Sequence, residues 1–324
     1  MSYFLLAVST RVNLDLCIKY GLAGFTDSIN GLWTYLDIQH GDFVSFLYGA
    51  RVHNLYRVTA KVAYKDADRL PPWPPVKFQP SGKVYHFPFR LELEQVRSLD
   101  EPLVRAEFAY VGENLLLRGG YRKTHFQADQ TTLQNVSQMG VPSASPPEPL
   151  HMARAQTFTP QLVRHRKDAS PPYVFPLREL IVQTMLRAYL SSTVNLDKFL
   201  TDGGIRAVKA SQMEVLGEKA FPEGHVDILI KEATPIGMGR KVVVEVKLGR
   251  ATNADIQQLR LYMDRLGEEC AGGVLVAGDF NTRTRKSAAE QRVACARYAL
   301  EGLGNAPIPY AALLNAFALT PPDA

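Results

Sequence analysis

The sequence predicts two domains, an α+β domain built around a small mixed β-barrel and a C-terminal α/β domain. Residues 1–136 are rich in strand patterns with apolar and polar residues in alternation. Residues 137–172 are rich in proline and serine and show no sustained period, which predicts a linker. Residues 173–324 mix apolar strands with amphipathic helices, as α/β domains do.

Length and composition describe an ordinary globular chain. Its 324 residues are enough for two hydrophobic cores, and its hydrophobic content of 46% and charged content of 21% are typical of soluble domains. No apolar run approaches the roughly 18 to 20 residues of a membrane helix. Met1 leads into a strand-like run without a basic start or a cleavage site. We therefore expect a cytoplasmic protein without a membrane partner.

Cysteine spacing and net charge bear on which covalent links, metal sites and partners the chain can have. Cys17, Cys270 and Cys295 are scattered, without Cys-x-x-Cys spacing, so neither a disulfide framework nor a cysteine-based zinc site is indicated. The net charge of +5 is compatible with a nucleic-acid partner but does not require one.

The N-terminal elements favour a mixed barrel. The segments "YFLLAVS", "DFVSFLYG" and "NLYRVTAKVAY" read as strands, and in the third the apolar residues from Tyr56 to Val62 alternate with polar ones. "KVYHFPFRLELEQV" also alternates, and Pro88 within it indicates an edge or a bulge. "LDLCIKYGLAGF" predicts a short helix that ends at Gly21 or Gly24.

This order of segments, completed by "NGLW" and "LPPWPPVKF", resembles the YTH/EVE group of PUA-like domains over most of residues 3–135. The resemblance implies a domain that holds one modified or flipped base in an aromatic cage. The positions that match are Ser9, Asn30, Trp33 and Trp73. Aromatic faces stack on a base, and an amide can pair with its Watson–Crick edge.

Alternatives stay open for this predicted base pocket. Where YTH cages place their first tryptophan, this chain reads "GLAGF", with Phe25 as the nearest aromatic residue. The base can therefore be 5-methylcytosine, N6-methyladenine, another modified base or an unmodified flipped base. Trp33 and Trp73 can also be packing residues, and Asn30 before Gly31 is equally a turn signal.

The C-terminal elements predict an α/β core. "PLRELIVQTMLRAYL" has the spacing of a half-buried helix, with Glu179 near the border of its apolar face. "GHVDILI", "RKVVVEVKLG", "ADIQQLRLYMDRL" and "GGVLVAGDF" follow as strand, strand, helix and strand. Alternation places Asp227 opposite the apolar face of its strand, and it places Glu245 and Lys247 on one face of the next.

Two adjacent strands can thus bring Asp227, Glu245 and Lys247 into one small volume. Close carboxylates repel unless a proton or a cation lies between them, and their hard oxygens suit Mg²⁺ or Mn²⁺. A metal that polarises a phosphoryl group and a lysine that orients water or stabilises charge are the requirements of phosphodiester hydrolysis. A Glu-x-Lys pattern alone is also common on solvated edge strands.

These residues resemble the motif of the PD-(D/E)XK nucleases. A glycine stands three places before Asp227, and Gln258 and Tyr262 match the Gln-x-x-x-Tyr element of the RecB-like branch. Residues 175–300 are similar to the nuclease half of the NucS/EndoMS group. The resemblance implies metal ligands Asp227, Glu245 and Glu179, a catalytic Lys247 and the active-site supports Gln258 and Tyr262. Glu214 or Glu218 is the alternative to Glu179.

The combined hypothesis is a Mg²⁺-dependent endonuclease, with Mn²⁺ as a substitute, that restricts double-stranded DNA carrying a modified base. Arg283, Arg285 and Lys286, near a predicted helix start, are candidates for DNA backbone contacts or form a solvated basic face. Cleavage of both strands favours a homodimer by analogy. The alternatives are a NucS-like repair endonuclease for mismatched or branched DNA and a non-catalytic nucleic-acid-binding module.

Overall fold

A computed structural model describes residues 1–49, 51–77, 79, 82–99, 124–143, 145–150, 152, 155–221, 224–300, 302–304 and 306–321. The chain divides into two compact units. The first comprises Met1–Gln161 and Lys167–Phe175, and the second comprises Leu162–Arg166 and Pro176–Ala324. The predicted fold class, an α+β domain followed by an α/β domain, is confirmed.

The first unit contains a mixed sheet with helices beside it. The strands are β1 (Tyr3–Ala7), β2 (Leu22–Phe25), β3 (Phe43–Tyr48), β4 (Arg51–Ala63), β5 (Val76–Lys77), β6 (Val84–Tyr85), β7 (Phe89–Ser98), β8 (His125–Ala128) and β9 (Val141–Pro142). The helices are α1 (Arg11–Tyr20), α2 (Ile29–Asp37) and α3 (Gln130–Ser137). In the described part of the chain the sheet order is β2-β7-β4-β3-β1-β8, with β9 also on β7 and β5 paired with β6. Strands β1 and β3 are parallel, and the other pairs are antiparallel.

Local sequence explains two boundaries in this unit. Helix α1 begins after Thr10, whose side chain accepts from the Asn13 amide, and it ends at Gly21 in the left-handed region at φ 57°. Gly24, the other predicted end, lies in β2. Pro88 separates β6 from β7, because proline cannot donate to a strand ladder, so the single predicted strand is two.

The second unit is built on one sheet with helices. Strands β10 (Gln161–Val163) and β11 (Val174–Pro176) lie where the units divide, within or just after the segment predicted as a linker. The helices that follow are α4 (Glu179–Leu190), α5 (Thr193–Asp202), α6 (Asn253–Leu266), α7 (Thr282–Glu290) and α8 (Tyr310–Asn315). The strands are β12 (Met213–Phe221), β13 (Gly224–Glu232), β14 (Lys241–Arg250), β15 (Cys270–Asp279), β16 (Ala294–Leu300), β17 (Ile308–Pro309) and β18 (Phe317–Thr320).

Strand β14 lies inside this sheet, whose described strands run β12-β13-β14-β15-β16-β18. It is antiparallel to β13 and parallel to β15. Val242, Val244 and Val246 are fully buried on one side, and Val243 belongs to a core cluster that includes Leu259 of α6. Burial on both faces accounts for the run of valines, and it makes Glu245 and Lys247, which interrupt or end that run, exceptional.

Among the helices of the described residues, none combines the length and the apolar character that a membrane crossing needs.

Candidate active site

Asp227, Glu245 and Lys247 come together on two neighbouring strands. The antiparallel ladder ends with the pair of Ile228 on β13 and Val244 on β14, and Asp227 and Glu245 are the next residues of the two strands beyond it. The Asp227 Oδ2 atom accepts a hydrogen bond from the Val246 amide at 2.7 Å. Lys247 Nζ donates to Glu245 Oε1 at 2.8 Å. The structure therefore assembles the predicted Asp, Glu and Lys in one place.

The two carboxyl groups share an unfavourable environment for charge. Glu245 is only 2% exposed, and its Oε2 atom is buried without a hydrogen-bond partner among the described residues. Burial raises the pKa of Asp227 well above its usual range, and the nearby Glu245 carboxylate raises it further. Burial also raises the pKa of Glu245, although the hydrogen bond from Lys247 opposes this shift. A cation between the two acids would relieve both effects.

Lys247 carries a stabilised positive charge. Burial alone disfavours its ammonium, but the hydrogen bond to Glu245 and the surrounding carboxylates outweigh this and raise the pKa of Lys247. Two further carboxylate oxygens, Glu179 Oε1 and Asp255 Oδ1, each lie 3.9 Å from Lys247 Nζ. These distances are beyond hydrogen-bonding range. Within the described residues, the Lys247 ammonium has three donors and makes one direct hydrogen bond, to Glu245.

Glu179 is the acid that the structure places at Lys247. It is the first residue of α4, and its Oε2 atom accepts from the Leu248 amide at 3.2 Å. Glu214 instead forms an ion pair with Lys231, its cross-strand partner, at 2.9 Å. Glu218 lies on β12 with a left-handed φ of 28°. Glu179 thus lies beside Lys247, and its role as the third metal ligand stays a prediction.

The backbone just beyond Lys247 is held by side chains. The pairing of β14 with β15 shifts register between Lys247 and Arg250, so the ladder is interrupted there. The Leu248 amide donates to Glu179, and the Leu248 carbonyl accepts from the hydroxyl of Tyr298 on β16. Burial raises the pKa of Tyr298 to about 12, so this hydroxyl remains a donor at neutral pH.

Gln258 and Tyr262 form a hydrogen-bonded pair on α6. Gln258 Nε2 donates to the Tyr262 hydroxyl at 2.9 Å, and that hydroxyl donates to the His225 carbonyl of β13 at 3.1 Å. Tyr262 is 1% exposed. Burial raises its pKa, and Glu245 and Asp227 contribute to the shift. The pair therefore ties α6 to β13 close to the two acids.

Asp255 is a site residue that sequence reasoning missed. Its Oδ2 atom accepts from the amide and the hydroxyl of Thr252, each at 2.7 Å, in a capping box at the start of α6. Its Oδ1 atom is the one 3.9 Å from Lys247 Nζ. The available signal was the Thr-x-x-Asp spacing, which places Asp255 one turn before Gln258.

The donor set fits a hard divalent cation. In the described ranges no group of three or more His, Cys, Asp and Glu side chains forms a ready-made metal site. The buried, unpartnered Glu245 Oε2 and the mutual repulsion of Asp227 and Glu245 are nevertheless the conditions that such a cation satisfies. Carboxylate oxygens from these residues and Glu179 suit Mg²⁺ or Mn²⁺ better than zinc.

Comparison with known proteins gives a partial likeness. No protein-family model and no curated protein matches the chain. The structure of the EndoMS–dsDNA2 complex matches with 22% identity over 32% of this chain and 43% of that chain, at a TM-score of 0.22. EndoMS in apo form matches with 16% identity over 32% and 44%, at a TM-score of 0.21. The match spans less than half the length of the EndoMS chains.

The residues predicted to bind a base lie in the first unit, where Trp73 is buried. Trp73 is 7% exposed and packs against Gly24 so closely that any side chain there would clash with its ring. Its ring centroid is 5.6 Å from that of Phe87, and the Arg90 guanidinium lies 5.2 Å from it. These are the contacts of a packed side chain, and stacking of a base on Trp73 stays a prediction.

The other predicted base-binding residues have different neighbours. Trp33 is buried on α2, with its ring centroid 4.4 Å from that of His125. Asn30, in the first turn of α2, is half-buried, and Ser9 is exposed just after β1. Phe25 is buried at the end of β2. Base binding by these residues stays a prediction.

The predicted backbone-contact residues lie on α7. Arg283 and Lys286 are exposed, whereas Arg285 is half-buried and its Nε atom has no hydrogen-bond partner in the part of the chain that the structure describes. Helix α7 is capped by Asn281, whose side chain accepts from the Thr284 amide. This helix packs beside α6, which carries Gln258. DNA contact by the three residues also stays a prediction.

Proposed function

We propose that this chain is a divalent-metal-dependent endodeoxyribonuclease. The observation that supports the proposal best is a pair of acids, the half-buried Asp227 and the buried Glu245, beside a lysine whose ammonium is stabilised. Like charges shielded from water are costly to a fold, and they cluster at functional sites.

Each residue has a chemical role in this proposal. Asp227, Glu245 and Glu179 would hold Mg²⁺, which supplies charge neutralisation at a phosphoryl group and lowers the pKa of water. Lys247 keeps a positive charge at the site, where it can stabilise the oxygens of a scissile phosphate or orient the attacking water. Gln258 and Tyr262 hold helix α6 against β13 and so fix the wall of the site.

We propose double-stranded DNA with a modified base as the substrate. A nuclease core contacts mainly phosphate and sugar, with Arg283, Arg285 and Lys286 as the proposed backbone contacts, and such contacts carry no sequence information. Discrimination then falls to the first unit, whose resemblance to base-reading domains supports this division. One active site per chain and cleavage of both strands support a homodimer, which light scattering on the DNA complex would test.

The nuclease proposal is tested by a cleavage assay with purified chain, plasmid DNA and Mg²⁺. The Lys247→Ala and Glu245→Ala variants should lose cleavage at least a hundredfold, on the order of the loss when one electrostatic contributor is removed, and should still bind DNA. Lys198→Ala is the matched control, because Lys198 is an exposed lysine of α5 that pairs with Asp202. Normal cleavage by folded Lys247→Ala protein would refute the assigned role.

The substrate proposal needs a separate panel. Duplexes of one sequence that differ only in 5-methylcytosine, N6-methyladenine, a mismatch or a branch should be digested side by side. Preference for a modified duplex supports the restriction role, and preference for the mismatched or branched duplex supports the repair alternative. Mg²⁺-dependent cleavage of any of them excludes a non-catalytic module.

A further inference from the structure

We infer that Asp255 is a positioning residue for Lys247, an inference that rests on the proposed nuclease function. The two oxygens of its carboxylate have different neighbours. Oδ2 is engaged by the amide and the hydroxyl of Thr252, whereas Oδ1 faces Lys247 Nζ at 3.9 Å. The helix cap therefore fixes the carboxylate, and the carboxylate presents a fixed negative charge to the lysine.

The surroundings make this charge effective. The side chains of Lys247 and Asp255 are 20% and 16% exposed, so little water screens the pair. Glu179 Oε1 lies at the same 3.9 Å from Nζ, but its side chain is 40% exposed. Glu245 is the hydrogen-bonded partner of the ammonium, and Asp227 also favours its charge. Of the two acids at 3.9 Å, Asp255 is the more shielded.

The distance of 3.9 Å is itself informative. Asp255 does not accept a hydrogen bond from Lys247 at this distance, so it leaves donors of the ammonium available for a phosphate oxygen or a water molecule. A direct bond would occupy the lysine. Asp255 thus restricts the positions that the flexible Lys247 side chain can give its ammonium. It does so without accepting any of the ammonium protons.

A plain helix cap is the competing explanation, and two variants separate it from positioning. Asp255→Asn keeps an oxygen that can accept from Thr252 but removes the charge that faces Lys247. Thr252→Ala removes the hydroxyl of the capping box, and the Thr252 amide still donates to the Asp255 carboxylate. Positioning predicts that Asp255→Asn affects the rate and the order of Lys247 more than Thr252→Ala does, whereas capping alone predicts that any loss of rate in either variant follows its loss of stability.

The experiment measures single-turnover cleavage and the order of the Lys247 side chain in the full chain. We expect Asp255→Asn to lower the cleavage rate about tenfold with unchanged DNA affinity, since a misplaced catalytic group costs up to about a hundredfold. Thr252→Ala should lower the melting temperature and leave the rate within about twofold. The ¹⁵Nζ order parameter of Lys247 without metal, assigned by loss of its signal in Lys247→Ala, should fall in Asp255→Asn only.

The two readouts distinguish failure of this inference from failure of the proposed function. If the native protein cleaves no DNA, the order parameter still tests positioning in the metal-free chain. If the native protein cleaves and Asp255→Asn matches it in rate and side-chain order, the inference is overturned. Equal losses of rate in both variants, in proportion to lost stability, would also overturn it and assign Asp255 to the cap alone.

Discussion

Replacing Asp227 by asparagine is expected to stabilise the metal-free protein while it abolishes cleavage. In the native protein the Val246 N–H donates to Asp227 at 2.7 Å, and the side-chain oxygen of asparagine can still accept this bond. The side-chain volume is nearly unchanged. What disappears is an acid whose charged form is disfavoured by burial and by Glu245. Removing such an unfavourable group at a functional site typically adds about 1 kcal/mol to the free energy of unfolding. This corresponds to roughly 4 °C in melting temperature for a domain of this size.

Stabilisation by Mg²⁺ should instead be larger for the native protein than for the Asp227→Asn variant. Mg²⁺ at ten times its dissociation constant should stabilise the native protein by about 1.4 kcal/mol, because it binds the folded site and not the unfolded chain. The Asp227→Asn variant lacks one ligand, so most of this gain should vanish.

Thermal unfolding in chelator and in Mg²⁺ measures both effects. Glu214→Gln is the control, since Glu214 is paired with Lys231 at 2.9 Å and should give no gain in chelator and an intact metal response. A less stable Asp227→Asn protein in chelator, or equal Mg²⁺ shifts in native and variant proteins, would refute the reasoning.

Three further predictions follow from the geometry. Cleavage should stop in chelator, return with Mg²⁺ or Mn²⁺ and fail to return with zinc, and full activity after chelation and dialysis would contradict the mechanism. Trp73→Ala should destabilise the first unit by about 3 to 5 kcal/mol in a urea titration, because the ring is buried against Gly24. If instead stability holds and only binding to modified DNA weakens, Trp73 belongs to a base pocket. Tyr262→Phe should cost about 1 kcal/mol of stability by freeing the His225 carbonyl, and no change in the unfolding midpoint would count against that bond.

The alternation of the strands was sufficient to predict that Asp227, Glu245 and Lys247 share a site. A period of two fixes which side chains share a face, and the valines of β14 mark a buried strand, so the juxtaposition followed from local pattern. Gln258 and Tyr262 came from the resemblance to the Gln-x-x-x-Tyr element, whose spacing places both on one face of a helix.

The remaining features depend on tertiary pairing that no local pattern contains. The placement of Glu214 opposite Lys231 depends on the pairing of β12 with β13. Asp255 stands in a common capping-box spacing, and the packing of α6 against the sheet is what brings Oδ1 to the lysine. Trp73, between two prolines, gave no periodic signal, so its burial could not be read from its neighbours in sequence.

The interruption of the ladder after Lys247 links the order of the strand end to the state of the site. The Leu248 amide donates to Glu179 and the Leu248 carbonyl accepts from Tyr298. These two hydrogen bonds stand in place of pairing with a neighbouring strand. Glu179 is also the proposed third metal ligand, so a cation and the Leu248 amide would share one carboxylate. We therefore expect loading of the site to change the order of the end of β14. The segment next to Lys247 becomes a local reporter of occupancy, through the protection of the Leu248 amide against hydrogen exchange.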